Sequence, residues 1–404
     1  MKILEVLKGY QSSDRLAMTN DQGSITYREL WERSDLLAKY VKQICDDDYT
    51  PVIVYGHKNP NMLVAFLACV KSGRAYVPVD ISVPQSRVEA IIDSVAPKLI
   101  LTTEDLPQYK DHKTTNILRD DYVTGVCATV DESDYVKGDS VYYIIFTSGS
   151  TGTPKGVQIT YDALNYFTEW ALTLGSNSKT RKRFINQAPF SFDLSVMDLY
   201  MSLASESCLC SLEKTVQTDY KKLFARLRET EANVWVSTPS FADMCMADKA
   251  FCEELMPNIE LFLFCGETLT NKTVSGLMER FPKAQIYNTY GPTESTVAIT
   301  EVLVTPSVNE QFNPLPVGKA KPGTTLFSVL CKRNHFFDTI FIVKLFPVYV
   351  KHNVGIVAVI VGIQFYFTNP SLIYTFPILF SMKLVNFRFK LSPMLNAPNQ
   401  FHIE

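Results

Sequence analysis

The sequence has almost no net charge: 39 lysines and arginines stand against 42 acids, a formal balance of -3. Without a basic field nothing is available to neutralise a run of phosphates, so nucleic acid is not an expected partner, while binding of a single phosphorylated metabolite stays open. Organised cysteine is missing too. Nine cysteines, among them Cys45, Cys69, Cys127, Cys208, Cys210, Cys252 and Cys265, lie mostly in apolar surroundings, with neither zinc spacing nor a secreted framework. Reduced thiols in a cytoplasm are the expectation. Met1-Lys2-Ile3-Leu4-Glu5-Val6-Leu7-Lys8 sets charges inside what would be the apolar centre of a signal peptide, so no secretion signal is read there. The five histidines, His57 and His112 included, form no nucleophilic constellation, and the Walker pattern Gly-x-x-x-x-Gly-Lys-[Ser/Thr] is nowhere met. An ordinary P-loop ATPase is therefore disfavoured.

What is present is a 404-residue chain, 46% hydrophobic and 20% charged, which is enough to bury a substantial core in two or three lobes. From about residue 24 to 305, short apolar runs alternate with amphipathic stretches, the pattern of an α/β fold. The first series predicts strands over 52–55 and 99–101 and helices over 61–71 and 87–94. The second predicts helices over 221–228 and 273–280 and strands over 234–236, 261–264 and 286–287. Two layered α/β subdomains account for both series. After Thr324 the character changes: residues 325–404 contain only Asp338 and Glu404 as acids, phenylalanine and tyrosine crowd the segment, and no helical or strand period is legible. A membrane segment is one reading. However, the apolar run from Val354 to Ile363 is interrupted by Gln364, Asn369 and Pro370, well short of the roughly 20 residues a span needs. An aberrant hydrophobic tail never selected to fold, such as the product of a shifted reading frame, is the favoured reading.

The strongest chemical signal runs from Tyr143 to Val157. The apolar stretch Tyr143-Ile144-Ile145-Phe146 feeds a loop of glycines and hydroxyls, Thr147-Ser148-Gly149-Ser150-Thr151-Gly152, which continues through Thr153-Pro154 to Lys155. Glycines let backbone N–H groups turn toward an anion, hydroxyls add donors, and a lysine supplies charge, which together make a polyphosphate cradle. A solvated Ser/Gly linker is the plainer reading, but a linker seldom follows directly on a buried strand.

A second cluster, Asn288-Thr289-Tyr290-Gly291-Pro292-Thr293-Glu294, is a turn after a predicted strand that presents an aromatic ring, hydroxyls and one acid. Tyr290 can stack on a purine, Thr293 can hydrogen-bond an α-phosphate, and Glu294 can hold Mg²⁺ beside phosphates. The alternative is a Gly/Pro turn with a surface acid. In a third segment, 186–198, Asp193 stands inside an apolar and aromatic run, where a carboxylate is costly unless it meets a cation or caps a helix beginning at Leu194.

These segments resemble the adenylate-forming superfamily of acyl-CoA ligases, luciferases and peptide-synthetase adenylation domains. The likeness extends to Ile25-Thr26-Tyr27-Arg28-Glu29-Leu30, to the segment from Lys71 to Asp80, and to that from Val317 to Thr324, in the family's order. It implies an AMP-binding adenylation core over 1–305, the start of a third subdomain over 306–324, and ATP with Mg²⁺ as cofactors. Lys155, Thr293 and Glu294 would be catalytic, and Glu294 would hold the metal. Residues 147–152 and 288–293 would bind the nucleotide. In amino-acid-activating members the aspartate of Phe-Asp-x-Ser holds the substrate ammonium, and Asp193 matches it. Phe264-Cys265-Gly266-Glu267, with 234–241 and 281–284, narrows the resemblance to the D-alanine:D-alanyl carrier protein ligase family. There the equivalent cysteine favours the D-enantiomer, and Val297 would line the same pocket; a buried core thiol is the alternative for Cys265.

The resemblance thus implies a cytoplasmic enzyme that activates D-alanine as D-alanyl-AMP and passes it to the phosphopantetheine thiol of a D-alanyl carrier protein, for teichoic acid D-alanylation. Membrane insertion is not expected. The family's Thr-Gly-Asp segment, hinge, lid domain and terminal catalytic lysine are not found after Thr324, so impaired activity is expected. An adenylation module for another small amino acid, or a non-catalytic nucleotide-binding remnant, are the alternatives.

Overall fold

Runs such as Val52-Ile53-Val54-Tyr55 are apolar at every position, so they suit strands covered on both faces rather than a half-solvated sheet. The computed structural model describes residues 1–110, 112–147, 154–175, 181–325, 327–330, 339–350 and 353–365. Its strands, in chain order, are β1 (Leu16–Asn20), β2 (Gly23–Thr26), β3 (Val52–Gly56), β4 (Tyr76–Asp80), β5 (Leu99–Thr102), β6 (Lys113–Asn116), β7 (Val141–Thr147), β8 (Lys155–Thr160) and β9 (Arg183–Asn186). They continue with β10 (Cys208–Ser211), β11 (Val234–Ser237), β12 (Leu261–Phe264), β13 (Gln285–Tyr290), β14 (Thr300–Leu303), β15 (Lys319–Ala320), β16 (Phe327–Leu330), β17 (Thr339–Val350) and β18 (Asn353–Phe365).

The chain divides into two units, Met1–Lys319 and Ala320–Glu404. The first holds two mixed sheets. One has the order β6-β5-β3-β4-β7-β8, parallel apart from the antiparallel hairpin β7–β8. The other has the order β15-β14-β13-β12-β11-β9-β10-β1-β2, with a parallel centre and β14 and β2 running antiparallel. The unit ends at Lys319, the first residue of β15. Two layered α/β subdomains are therefore present, as the alternating pattern implies.

The helices follow the same logic. Thr26 and Glu29 form a reciprocal capping box at the start of the Tyr27–Cys45 helix, and the bonds from Thr26 hold the Glu29 carboxyl below its ordinary range. The helix Leu194–Ala204 is buried at all its positions, which explains why its sequence is apolar all round. It packs in the main core with Phe167, Phe184 and Phe190. Predicted and observed elements coincide closely: the helix expected over 61–71 is Asn61–Lys71, and that over 273–280 is Asn271–Arg280.

In the second unit, β16, β17 and β18 form an antiparallel three-stranded sheet where no period was legible. Their runs are apolar at consecutive positions, so alternation is absent even though the backbone is extended. No described helix is long and apolar enough to cross a membrane.

Candidate functional site

In an open sheet with a parallel centre, the loops leaving the carboxyl ends of the strands converge on one edge, and ligands bind there. In the larger sheet that edge receives Cys265 after β12, the turn 291–299 after β13, and Asp193 on the segment that leaves β9. The β7–β8 hairpin of the smaller sheet brings Lys155 to the same place, where its Nζ lies 3.0 Å from Glu294 Oε1.

Asp193 occupies the N-cap position of the Leu194–Ala204 helix, but its side chain makes no capping hydrogen bond. Burial pushes its carboxyl above the ordinary value; the nearby Thr293 hydroxyl works in the opposite direction, and the Glu294 charge raises it further. The capping alternative is thus not realised. What the fold leaves at this point is a largely desolvated carboxylate without a cationic partner among the described residues.

Cys265 is buried, and its thiol donates to the Val297 carbonyl at 3.6 Å. Burial pushes that thiol up to about 11, and Asp193 adds to the shift, so the thiol stays protonated and the two side chains are electrostatic neighbours. Val297 is held in an unusual way. Thr296 and Val297, both β-branched, have φ values of 62° and 64°, and Ala298 N–H donates to Thr296 O at 2.7 Å across Val297. This is a γ-turn of the rare positive-φ kind, in a region that β-branched residues seldom enter. Such a conformation costs about 1–3 kcal/mol per residue and persists only where its surroundings impose it.

Those surroundings are visible. Ile299 N–H donates to Tyr290 O at 2.8 Å, and Gly291 lies so close to the turn that a Cβ there would meet Ala298 Cα at 2.6 Å and Val297 O at 2.9 Å. Gly291 is therefore required by a close backbone approach. Thr289 donates to Phe264 O at 2.8 Å and Asn288 to Pro316 O at 2.9 Å, fixing the end of β13, while Thr293–Ser295 forms one 3-10 turn after Pro292. Tyr290 is half-buried, and burial raises its phenol above the ordinary range.

The sequence-predicted residues thus fall into two sets. Asp193, Cys265, Tyr290, Thr293, Glu294, Val297 and Lys155 come together, with Thr147 paired opposite Lys155 in the hairpin register. Ser148, Gly149, Ser150, Thr151 and Gly152 lie outside the described residues. Sequence reasoning missed the strained turn at Thr296–Val297, which no residue type announces. It also missed a buried support: Lys58 Nζ donates to Asn186 O at 2.9 Å and Gln187 O at 2.7 Å, where the segment leading to Asp193 leaves β9. His57 Nδ1 does pair with Asp80 at 2.6 Å, but its Nε2 accepts the Lys214 N–H at 3.2 Å, so the imidazole is used structurally.

A family described as AMP-binding enzyme matches residues 8–330. The D-alanine--D-alanyl carrier protein ligase of Bacillus anthracis (strain A0248) is 47% identical over 332 residues, covering 81% of this chain and 65% of that protein. The ligase of the same name from Bacillus cereus (strain Q1) is 47% identical over 333 residues, covering 81% and 66%. The chain therefore spans about two thirds of the length of these relatives. Among solved structures, holo-PA1221, a peptide-synthetase protein containing adenylation and PCP domains, matches with a TM-score of 0.72 at 22% identity, over 85% of this chain and 59% of that one. The N-terminal subdomain of Klebsiella oxytoca NpsA in complex with 3-hydroxybenzoyl-AMSN matches at 0.70 and 19% identity, over 91% and 95%. At these identities the two structures speak for the fold alone.

Proposed function

Because the chain belongs to the AMP-binding enzyme family, we propose that its cleft binds ATP and activates D-alanine as D-alanyl-AMP, for transfer to the thiol of a D-alanyl carrier protein. The observation that carries this reading is the juxtaposition of Asp193 with Cys265 and the Val297 turn: a desolvated carboxylate beside a thiol-filled wall. An ammonium would satisfy the carboxylate, and the sulfur leaves room for a small side chain.

In the reaction, one oxygen of the amino-acid carboxylate bonds to the α-phosphorus of ATP as the bond from that phosphorus to the bridging oxygen breaks, and pyrophosphate leaves with the electron pair. Asp193 holds the ammonium and so fixes the direction of the carboxylate. Thr293, beside Asp193, donates to the α-phosphate in this reading, which links substrate position to phosphate position. Tyr290 offers its ring to the adenine, Asn288 and Thr289 shape that wall, and Lys155 neutralises phosphate charge. Alignment and charge neutralisation are the whole of the protein's task.

Glu294 presents a partly exposed carboxylate at the cleft, the oxygen donor that Mg²⁺ takes alongside substrate phosphates, so the residues fit a metal held by Glu294. When bound, Mg²⁺ would supply positive charge to the leaving pyrophosphate. A carrier-protein partner, supported by the relatives' name, and a cytoplasmic location belong to the same proposal.

The test is ATP–pyrophosphate exchange with D-alanine, L-alanine and glycine. It is run on this chain and on one in which the residues after 324 are exchanged for the corresponding third of a Bacillus relative. Exchange that depends on D-alanine in either chain is expected. Exchange with glycine or another small amino acid in preference would replace the substrate, and none with any amino acid in either chain would remove the activity.

A further inference from the structure

One contact in the cleft joins two groups that the proposed chemistry would keep apart. Lys155 is the first residue of β8 and stands opposite Thr147 in the hairpin, while Glu294 lies in the turn after β13, on the other sheet. Their side chains meet at 3.0 Å, with 62% of the lysine and 41% of the glutamate side chain exposed. Among the described residues, Glu294 has no other cationic partner and Lys155 no other acidic one. A phosphate-neutralising lysine and a metal-holding carboxylate are thus spent on one another.

The Glu294 charge adds to the burial that raises the Asp193 carboxyl, and among the described residues Lys155 is the one cation paired with Glu294. We propose that Lys155 is a placeholder for the metal. It occupies Glu294 until the phosphates of a nucleotide draw its ammonium away, so that the divalent cation and the nucleotide enter together and neither is bound well alone. The pair is suited to exchange. Both partners are solvated, so the contact is weak, and the lysine's four-carbon stem can swing its ammonium through several ångströms without moving β8. By contrast Lys58, buried and bonded to two carbonyls, has no such freedom. Because the two ligands compete for the two halves of one ion pair, coupling must be reciprocal: metal raises nucleotide affinity by the factor by which nucleotide raises metal affinity.

This inference rests on the roles proposed above for Lys155 and Glu294, and its test separates the two. Mn²⁺ binding to the nucleotide-free chain is titrated by electron paramagnetic resonance in the unaltered protein, in Lys155→Met and in Lys155→Met/Glu294→Gln. The Lys155→Met chain is expected to bind Mn²⁺ roughly fivefold more tightly than the unaltered chain, the scale of a solvated ion pair removed, and the added Glu294→Gln change is expected to abolish the gain. Equal affinity in the unaltered and Lys155→Met chains, including no detectable binding in either, would overturn the proposal, as would a gain that survives Glu294→Gln. Binding of a fluorescent ATP analogue is measured on the same samples. Failure there removes the nucleotide-binding reading while the Mn²⁺ comparison still decides what Lys155 does to Glu294.

Discussion

Asp193 and Gly291 make the most specific demands of any single residues. If Asp193 holds the substrate ammonium, Asp193→Asn leaves that charge without its counterpart, and amino-acid-dependent pyrophosphate exchange should fall by about 10²-fold. The pH dependence has a definite sign. The Asp193 carboxyl is raised above the ordinary 3.8 by burial, so amino-acid binding should weaken as pH falls through that raised value, and calorimetric titration should find no such dependence in the Asn variant. Gly291→Ala forces a Cβ against the backbone of Val297 to Ile299, and urea denaturation should show a loss of about 1–3 kcal/mol. Asp193 could be found in the sequence because an acid in an apolar run is conspicuous. Gly291 could be found only as a turn residue, because its actual constraint comes from a segment seven residues further on. Val297 was named for the pocket by resemblance alone, and its left-handed backbone was not legible at all, since nothing in a valine signals positive φ.

At the scale of elements, the signals that were read are those with local causes. The capping box at Thr26 and Glu29 starts the Tyr27–Cys45 helix, and Thr26→Ala should cost about 1 kcal/mol in denaturant unfolding, with the helix start fraying first. Strands such as β3 and β12 were legible because four apolar residues between turn signals leave little else to be. The strands β16 to β18 were not legible, because apolar residues at successive positions give neither the two-residue nor the 3.6-residue period. Sheet order was equally closed to local reading: β9 sits between β11 and β10, an arrangement set by long-range packing.

At the scale of the molecule, the first unit joins two sheets through buried polar contacts as well as apolar core. Lys58, from the β3 side, donates to the carbonyls at the end of β9, and Asn186 there also bonds both carboxylate oxygens of the buried Asp198 at 3.1 Å. Burial lowers the Lys58 ammonium from 10.5 to about 7, against the attraction of Asp198, Glu213 and Asp80. Between about pH 7 and 10.5 the unfolded chain therefore holds a proton that the folded chain has released, so this residue's contribution to stability rises with pH across that window. The stability of the unaltered chain relative to Lys58→Met should accordingly improve between pH 7 and 9, by about 1–2 kcal/mol in chemical denaturation; a constant difference would contradict the lowered value.

The edge formed by Asp193, Cys265, Tyr290 and the Val297 turn is proposed to recognise an adenylate of a small D-amino acid. The most direct measurement is calorimetric binding of non-hydrolysable D-alanyl and L-alanyl adenylate analogues to this chain, which needs no turnover. The D-alanyl analogue is expected to bind at least about tenfold more tightly, a difference of about 1.4 kcal/mol, and Asp193→Asn to remove most of the affinity for it. Equal affinity for the two enantiomers, or binding indifferent to Asp193, would contradict it.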